Sequence, residues 1–355
     1  MPSPLFDPAV RRQVLLERIK SGQIRGFNAL FREIEKAVRG AFGNLDGDLT
    51  ETTRRALVRF LKGIEKDISR EYARQLKLYR KDLEQTAGLY AAAEAGDLEK
   101  AIAGAVTLKV PAAKKAIAGA VARPMSHSGE TLDEFLNGFA GKEVARVRDT
   151  IRRGSVNGLT NQEIIRSIVG TKARKYKDGI LATSRRNADA VVRSATQHVA
   201  SSARQDLWEA NADVVQAYEW VSTLDRKTTQ LCKSLDGREF ELGKGPTPPI
   251  HIRCRSTTIA VLSSKYDFLR QGRTRSAEFG PVSGDEDYYG WLKRQPKSVQ
   301  IEALGPTRAK LFRDGGLTPE EFGKLNLGRN FEPLTLDEMR GLDPEAFERA
   351  GLPGD

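Results

Sequence analysis

From Thr52 onward, Leu57, Leu61, Ile64, Ile68, Tyr72, Leu76, Tyr79 and Leu83 recur at steps of three and four. That spacing places all eight on one stripe of a single helix of roughly eight turns, with a charged opposite face. A helix this long cannot leave such a stripe to water. It packs against a partner helix or against another chain.

The remainder of the first 210 residues also reads as helix. "DPAVRRQVLLERIKSG" opens on Asp7 with Pro8 at the first helical position and is expected to close on Gly22. "AIAGAV" occurs twice between residues 101 and 121, with Pro111 between the copies; small residues at this density predict close packing. In "NGLTNQEIIRSIVG", Thr160 and Glu163 have capping-box spacing, ahead of the apolar face Ile164, Ile165, Ile168 and Val169. A further helix is predicted from Ser184 to about Ala210.

The pattern then changes. "VVQAYEWVSTLD" alternates and is rich in Val, Tyr and Trp, which predicts a strand. "SLDGREFEL" reads as a turn into a second strand, and "STTIAVL" as a third. The fold class expected is α+β, mainly α: long N-terminal helices, a small central β-sheet unit with a long loop, and a short-helix C-terminal appendage. The divisions are a helical region 1–140, an α+β domain 141–265, a Gly- and charge-rich linker 266–284, and a helical docking segment 285–355.

Charge narrows the partners. The chain carries 58 Lys and Arg against 47 Asp and Glu, a net of +11. Residues 142–204 hold 14 basic and 5 acidic side chains, whereas residues 314–355 hold 4 basic and 10 acidic. A basic middle suits a polyanion and an acidic tail suits a different surface. The basic candidates are Arg146, Arg148, Arg152, Arg153, Lys172, Arg174, Lys175, Lys177, Arg185, Arg186 and Arg193. No zinc-finger, helix-turn-helix or aromatic-platform pattern accompanies them, so any binding to double-stranded DNA would be nonspecific. The N-terminal residues lack the apolar core of a signal peptide, and no window is apolar enough to span a membrane, so no membrane anchor is expected.

Chemistry concentrates between Trp220 and Arg255. Cys232 and Cys254 are the only two cysteines, and His251 stands three residues before Cys254. A structural zinc site needs four tetrahedral ligands, and these residues offer three; Thr229 occupies the place where a partner of Cys232 would stand. No cofactor is therefore expected, with zinc on Cys232, His251 and Cys254 as an alternative. Two inert, structural buried thiols are the state expected, and a Cys232–Cys254 bridge is a second alternative. Asp225 and Asp236 read as turn residues. The competing functional reading is a metal-dependent enzyme, nuclease-like or toxin, working through Asp225, Asp236 and His251.

Three pieces occur in order: W-x-S-x-x-D at Trp220–Asp225, C-x-x-L-D-G at Cys232–Gly237, and P-P-x-H-x-x-C-R at Pro248–Arg255. With the approach "GLTNQEIIRSI", this set resembles the phage Mu protein F-like minor head protein family of tailed bacteriophages, over roughly residues 145–262. Many relatives carry C-x-x-C before the Leu-Asp-Gly, where this chain has Thr229. The resemblance implies a structural knot of Trp220, Asp225, Cys232, His251 and Cys254 and no catalysis. It implies a minor capsid protein of the virion, at the portal vertex of the head, acting in assembly and in DNA packaging or delivery. The partners implied are the portal protein and a major capsid or scaffolding protein, after assembly in the host cytoplasm.

Overall fold

A computed structural model describes residues 5–270 and 274–352; the parts of the divisions above that fall at 1–4, 271–273 and 353–355 lie outside the described residues. Helix α1 (Phe6–Gly43) and helix α2 (Arg54–Ala101) form an antiparallel hairpin. Phe42 meets Phe60 at one end, Phe27 meets Tyr79 midway, and Arg12 pairs with Glu94 at the other end. The predicted stripe is the seam: Leu61, Ile64, Ile68, Tyr72, Leu76, Tyr79 and Leu83 are buried, and Leu57 is partly covered. The covering surface comes from within the chain, from α1, α4 (Leu132–Val156), α5 (Asn161–Val169) and α6 (Ile180–Glu209).

The expected end of α1 at Gly22 is corrected by the structure. The helix continues to Gly43 because Phe27, Leu30, Phe31, Ile34, Val38 and Phe42 extend its buried face. A helical glycine costs about 1 kcal/mol, less than burying one such side chain returns at roughly 1.5–3 kcal/mol. The second "AIAGAV" lies in α3 (Ala113–Ala122), where Ala116 and Ala120 are fully buried and a Cβ on Gly119 would overlap the Asp206 carboxylate. Close packing is thus the use of that segment. Thr160 and Glu163 form the capping box read from the sequence.

All three predicted strands form. β1 (Val215–Val221) lies between β2 (Glu239–Glu241) and β3 (Thr257–Leu262), antiparallel to both, with Tyr218 opposite Phe240 and Ala260. Between β1 and β2 the chain makes a short helix, α7 (Gln230–Leu235), in a stretch read as turn. Thr229 starts it by accepting the Cys232 amide on its hydroxyl.

The expected linker is also corrected. It contains a hairpin, β4 (Thr274–Ala277) with β5 (Gly280–Ser283), and Arg275 within it is buried. Nor do the short helices that follow lack a core. Helices α8 (Tyr288–Lys293), α9 (Lys297–Leu304), α10 (Pro306–Asp314), α11 (Pro319–Leu325), α12 (Leu336–Leu342) and α13 (Pro344–Arg349) enclose Tyr288, Tyr289, Trp291, Phe312, Phe322 and Phe347. Leu224, just after β1, completes this cluster, so the C-terminal module is packed onto the sheet unit. Part of the acidic tail works locally: Glu321 and Glu338 close capping boxes with Thr318 and Thr335.

His198 fastens α3 to α6. Its Nε2 donates to the Ala120 carbonyl at 2.8 Å, and the side chain is buried. Burial is the main reason its pKa falls to about 4. Between pH 6.5 and 4 the unfolded chain therefore holds a proton that the folded chain refuses, and stability drops as the pH falls. The loss amounts to about 3 kcal/mol by pH 4. Urea unfolding at pH 7 and pH 4.5 should show a steeper acid loss for the native chain than for His198→Gln.

Candidate functional site

The sheet unit gathers the predicted knot. Trp220 is fully buried, in one apolar cluster with Cys232, Leu235, Ile250 and Cys254. Cys232 comes from α7; His251 and Cys254 come from the loop that returns to β3. Cys232 Sγ lies 3.1 Å from His251 Nε2 and 3.8 Å from Cys254 Sγ. The three ligand atoms all lie within 4.8 Å of one another. His251 Nδ1 is 2.9 Å from the Ile252 carbonyl, which takes its proton and leaves Nε2 facing the sulfurs. Both cysteines are free and 1% exposed, so neither thiol is open to a substrate.

Charge is uneven inside this cluster. Burial, then the neighbouring sulfur, pushes the Cys232 thiol well up. Burial also opposes ionisation of Cys254, but hydrogen bonding from Cys232 and the His251 ring outweigh it and hold that thiol well below its usual range. Burial works against a proton on His251 too, yet Cys254 raises the ring's pKa. Cys254 is thus the more readily ionised of the two thiols, and its charge favours a proton on His251. The cluster is a ligand-ready set for a thiophilic divalent cation, whose binding needs deprotonated thiols and a neutral imidazole.

Asp225 and Asp236 serve as struts. Arg255, next to Cys254, grips Asp225 with both terminal nitrogens at 2.7 and 2.9 Å. Asp225 also takes the Lys227 and Thr228 amides. Asp236 accepts from the Ser222 amide at 2.6 Å and from Arg275 at 2.8 and 2.9 Å. Ser222 in turn links the Trp220 indole N–H to the Cys232 carbonyl. Sequence reasoning missed Ser222, Arg275 and Gln197, which ties the Ser256 carbonyl to Gln13 and to the buried ammonium of Lys20. These contacts join residues up to 184 positions apart in sequence, and no local pattern carries such pairing. The Asp225, Asp236 and His251 side chains each face different partners and form no shared site among the described residues.

Seven of the eleven basic candidates are engaged by other side chains. On α4, Arg146 pairs with Glu143, Arg148 with Glu65 and Asp149, and Arg152 with Asp149, while Arg153 bonds Thr150. On α6, Arg185 lies over the Phe31 ring, Arg186 bonds Thr183, and Arg193 pairs with Glu17 and Asp189. Lys172, Arg174, Lys175 and Lys177 differ. They occupy the exposed loop between α5 and α6 and make no ion pair with any described residue. Asp178 closes that loop by accepting the Thr171 amide at 2.8 Å and its hydroxyl at 2.7 Å. Lys175 and Tyr176 at the tip adopt left-handed backbone, at φ 51° and 58°.

Residues 145–259 match the family described as phage Mu protein F like protein. The chain carries a phage Mu protein F like domain. The Mu F-like domain runs from α4 through β3 and so contains the cysteine cluster, its struts and the basic loop. The match supports a phage head morphogenesis protein, with a head or virion location and capsid-related partners. No curated protein and no solved structure matches the chain. No described helix is long and apolar enough to cross a membrane.

Proposed function

We propose that the protein is a minor capsid component that joins the head at the portal vertex and touches packaged double-stranded DNA, without sequence preference, through the loop 171–178. The reading rests on the Mu F-like domain, within which four cations without an ion pair to any described residue stand on one tied-off loop. Phosphates are the natural counterpart of such a loop, because each contact releases a condensed counterion. The portal and a capsid or scaffolding protein are the protein partners in this reading, met during assembly in the host cytoplasm. The reading includes no catalytic step: Asp225 and Asp236 are each committed to an arginine, and His251 to a thiol.

Four phosphate contacts give a slope of roughly −3.6 in log affinity against log salt, and so roughly a 100-fold loss between 50 and 200 mM. Anisotropy titrations with duplex DNA should show this dependence. Changing Lys172, Arg174, Lys175 and Lys177 together to alanine should remove most of it. A slope unchanged by those substitutions would end the assignment of DNA contact to the loop. Cross-linking of purified virions should join this chain to the portal protein, and its absence from heads would dismiss the vertex reading.

A further inference from the structure

Cys232, His251 and Cys254 present three ligand atoms to one point. A closed tetrahedral zinc site takes four. Thr229 stands at the spacing of a paired ligand, but its hydroxyl caps α7 by accepting the Cys232 amide. A closed site here takes its fourth donor from elsewhere in the fold.

The turn joining α3 to α4, residues 123–131, is seated on the loop that carries His251. Ser126 Oγ lies 3.3 Å from Thr247 Oγ1 and accepts the Thr247 amide at 3.4 Å. The next residue is His127. Its ring packs edge-on against Phe135, with centroids 5.4 Å apart. Both its nitrogens are closed off from solvent, and neither has a hydrogen-bond partner. The ring itself is only partly buried, yet two solvent-closed nitrogens left idle are uncommon and call for an explanation. Cys254, His251 and the Pro249 carbonyl are its neighbours, and its ring stands just outside the group whose ligand atoms lie within 4.8 Å of one another, so ligation draws the turn inward.

We propose that His127 is the fourth ligand of a zinc centre completed by Cys232, His251 and Cys254. Two thiolates and two neutral imidazoles leave the bound dication with no net charge, which suits a buried position. The centre would clamp the α3–α4 turn onto the β-sheet unit, joining the helical bundle to the loop before β3.

The test uses the full chain, stripped of metal and titrated with Co2+ alone, then with Zn2+ in competition. The native protein should bind one ion per chain, with the visible bands of tetrahedral cobalt and thiolate charge transfer. His127→Ala should weaken binding at least about 100-fold while retaining thiolate bands. His127→Cys should restore affinity with a spectrum richer in thiolate. Adding Thr229→Cys supplies a ligand at the paired spacing, and in that background His127→Ala should cost little. Two results overturn the proposal: no stoichiometric binding by the native chain, or identical affinity and bands for His127→Ala. The cysteine variant keeps the question answerable if the alanine variant fails to fold.

Discussion

Replacing Asp236 with alanine lowers the unfolding free energy by about 3–5 kcal/mol. Its carboxylate is fully buried against Arg275, which is 2% exposed, and holds it with two hydrogen bonds at 2.8 and 2.9 Å. Removing the carboxylate strands a guanidinium whose remaining acceptors are the Ser222 and Glu286 carbonyls. It also frees the Ser222 amide beside the cysteine cluster. The cost is that of an uncompensated buried charge, not of the pair itself, so Asp236→Ala combined with Arg275→Met should recover a large part of it. Equilibrium urea unfolding of the single and double variants measures both quantities. A loss below about 1 kcal/mol in the single variant would mean that water reaches Arg275.

Gly179→Val should cost about 4 kcal/mol and should also weaken DNA binding. Gly179 precedes α6 and lies directly against Val169 and Gly170 at the end of α5; a Cβ there would overlap their backbone. Overpacking against a side chain costs roughly 1–3 kcal/mol because the side chain can turn aside. Here the obstacle is main chain on the facing segment, so the loop must open. Opening separates Thr171 from Asp178 and scatters the four cations of the loop. Thermal unfolding and the salt slope of DNA binding should both fall in this variant, whereas Gly138→Ala, in the interior of α4 with nothing near its Cβ, should leave the salt slope unchanged and raise stability slightly.

Local signals were readable where a residue acts on its own element. The stripe from Leu57 to Leu83 foretold the α2 seam, and Thr160 with Glu163 foretold the start of α5. The ordered Trp220, Cys232 and His251 motifs led to the cluster that the fold assembles. Legibility ended where one segment supplies what another lacks. Gly22 reads as a stop until Phe27 and Phe31 find α2. Residues 274–283 read as linker because four-residue strands carry little pattern, and the burial of Arg275 depends on Asp236, 39 positions away. Part of the basic run is neutralised from other helices, by Glu65 on α2 and Glu17 on α1, which no local pattern shows.

The first turn of α1 has a bearing on how the protein is made. Phe6 and Ala9 are buried against Val221 and Ile259, and Phe6 lies under the Arg275 guanidinium. A ribosome delivers those partners more than about 200 residues later, roughly 10–40 s at ordinary elongation rates. Until then the leading end of the nascent helix keeps an uncovered phenylalanine, open to chaperones or to another emerging copy. Completion of β3 and β4 is what sheathes it.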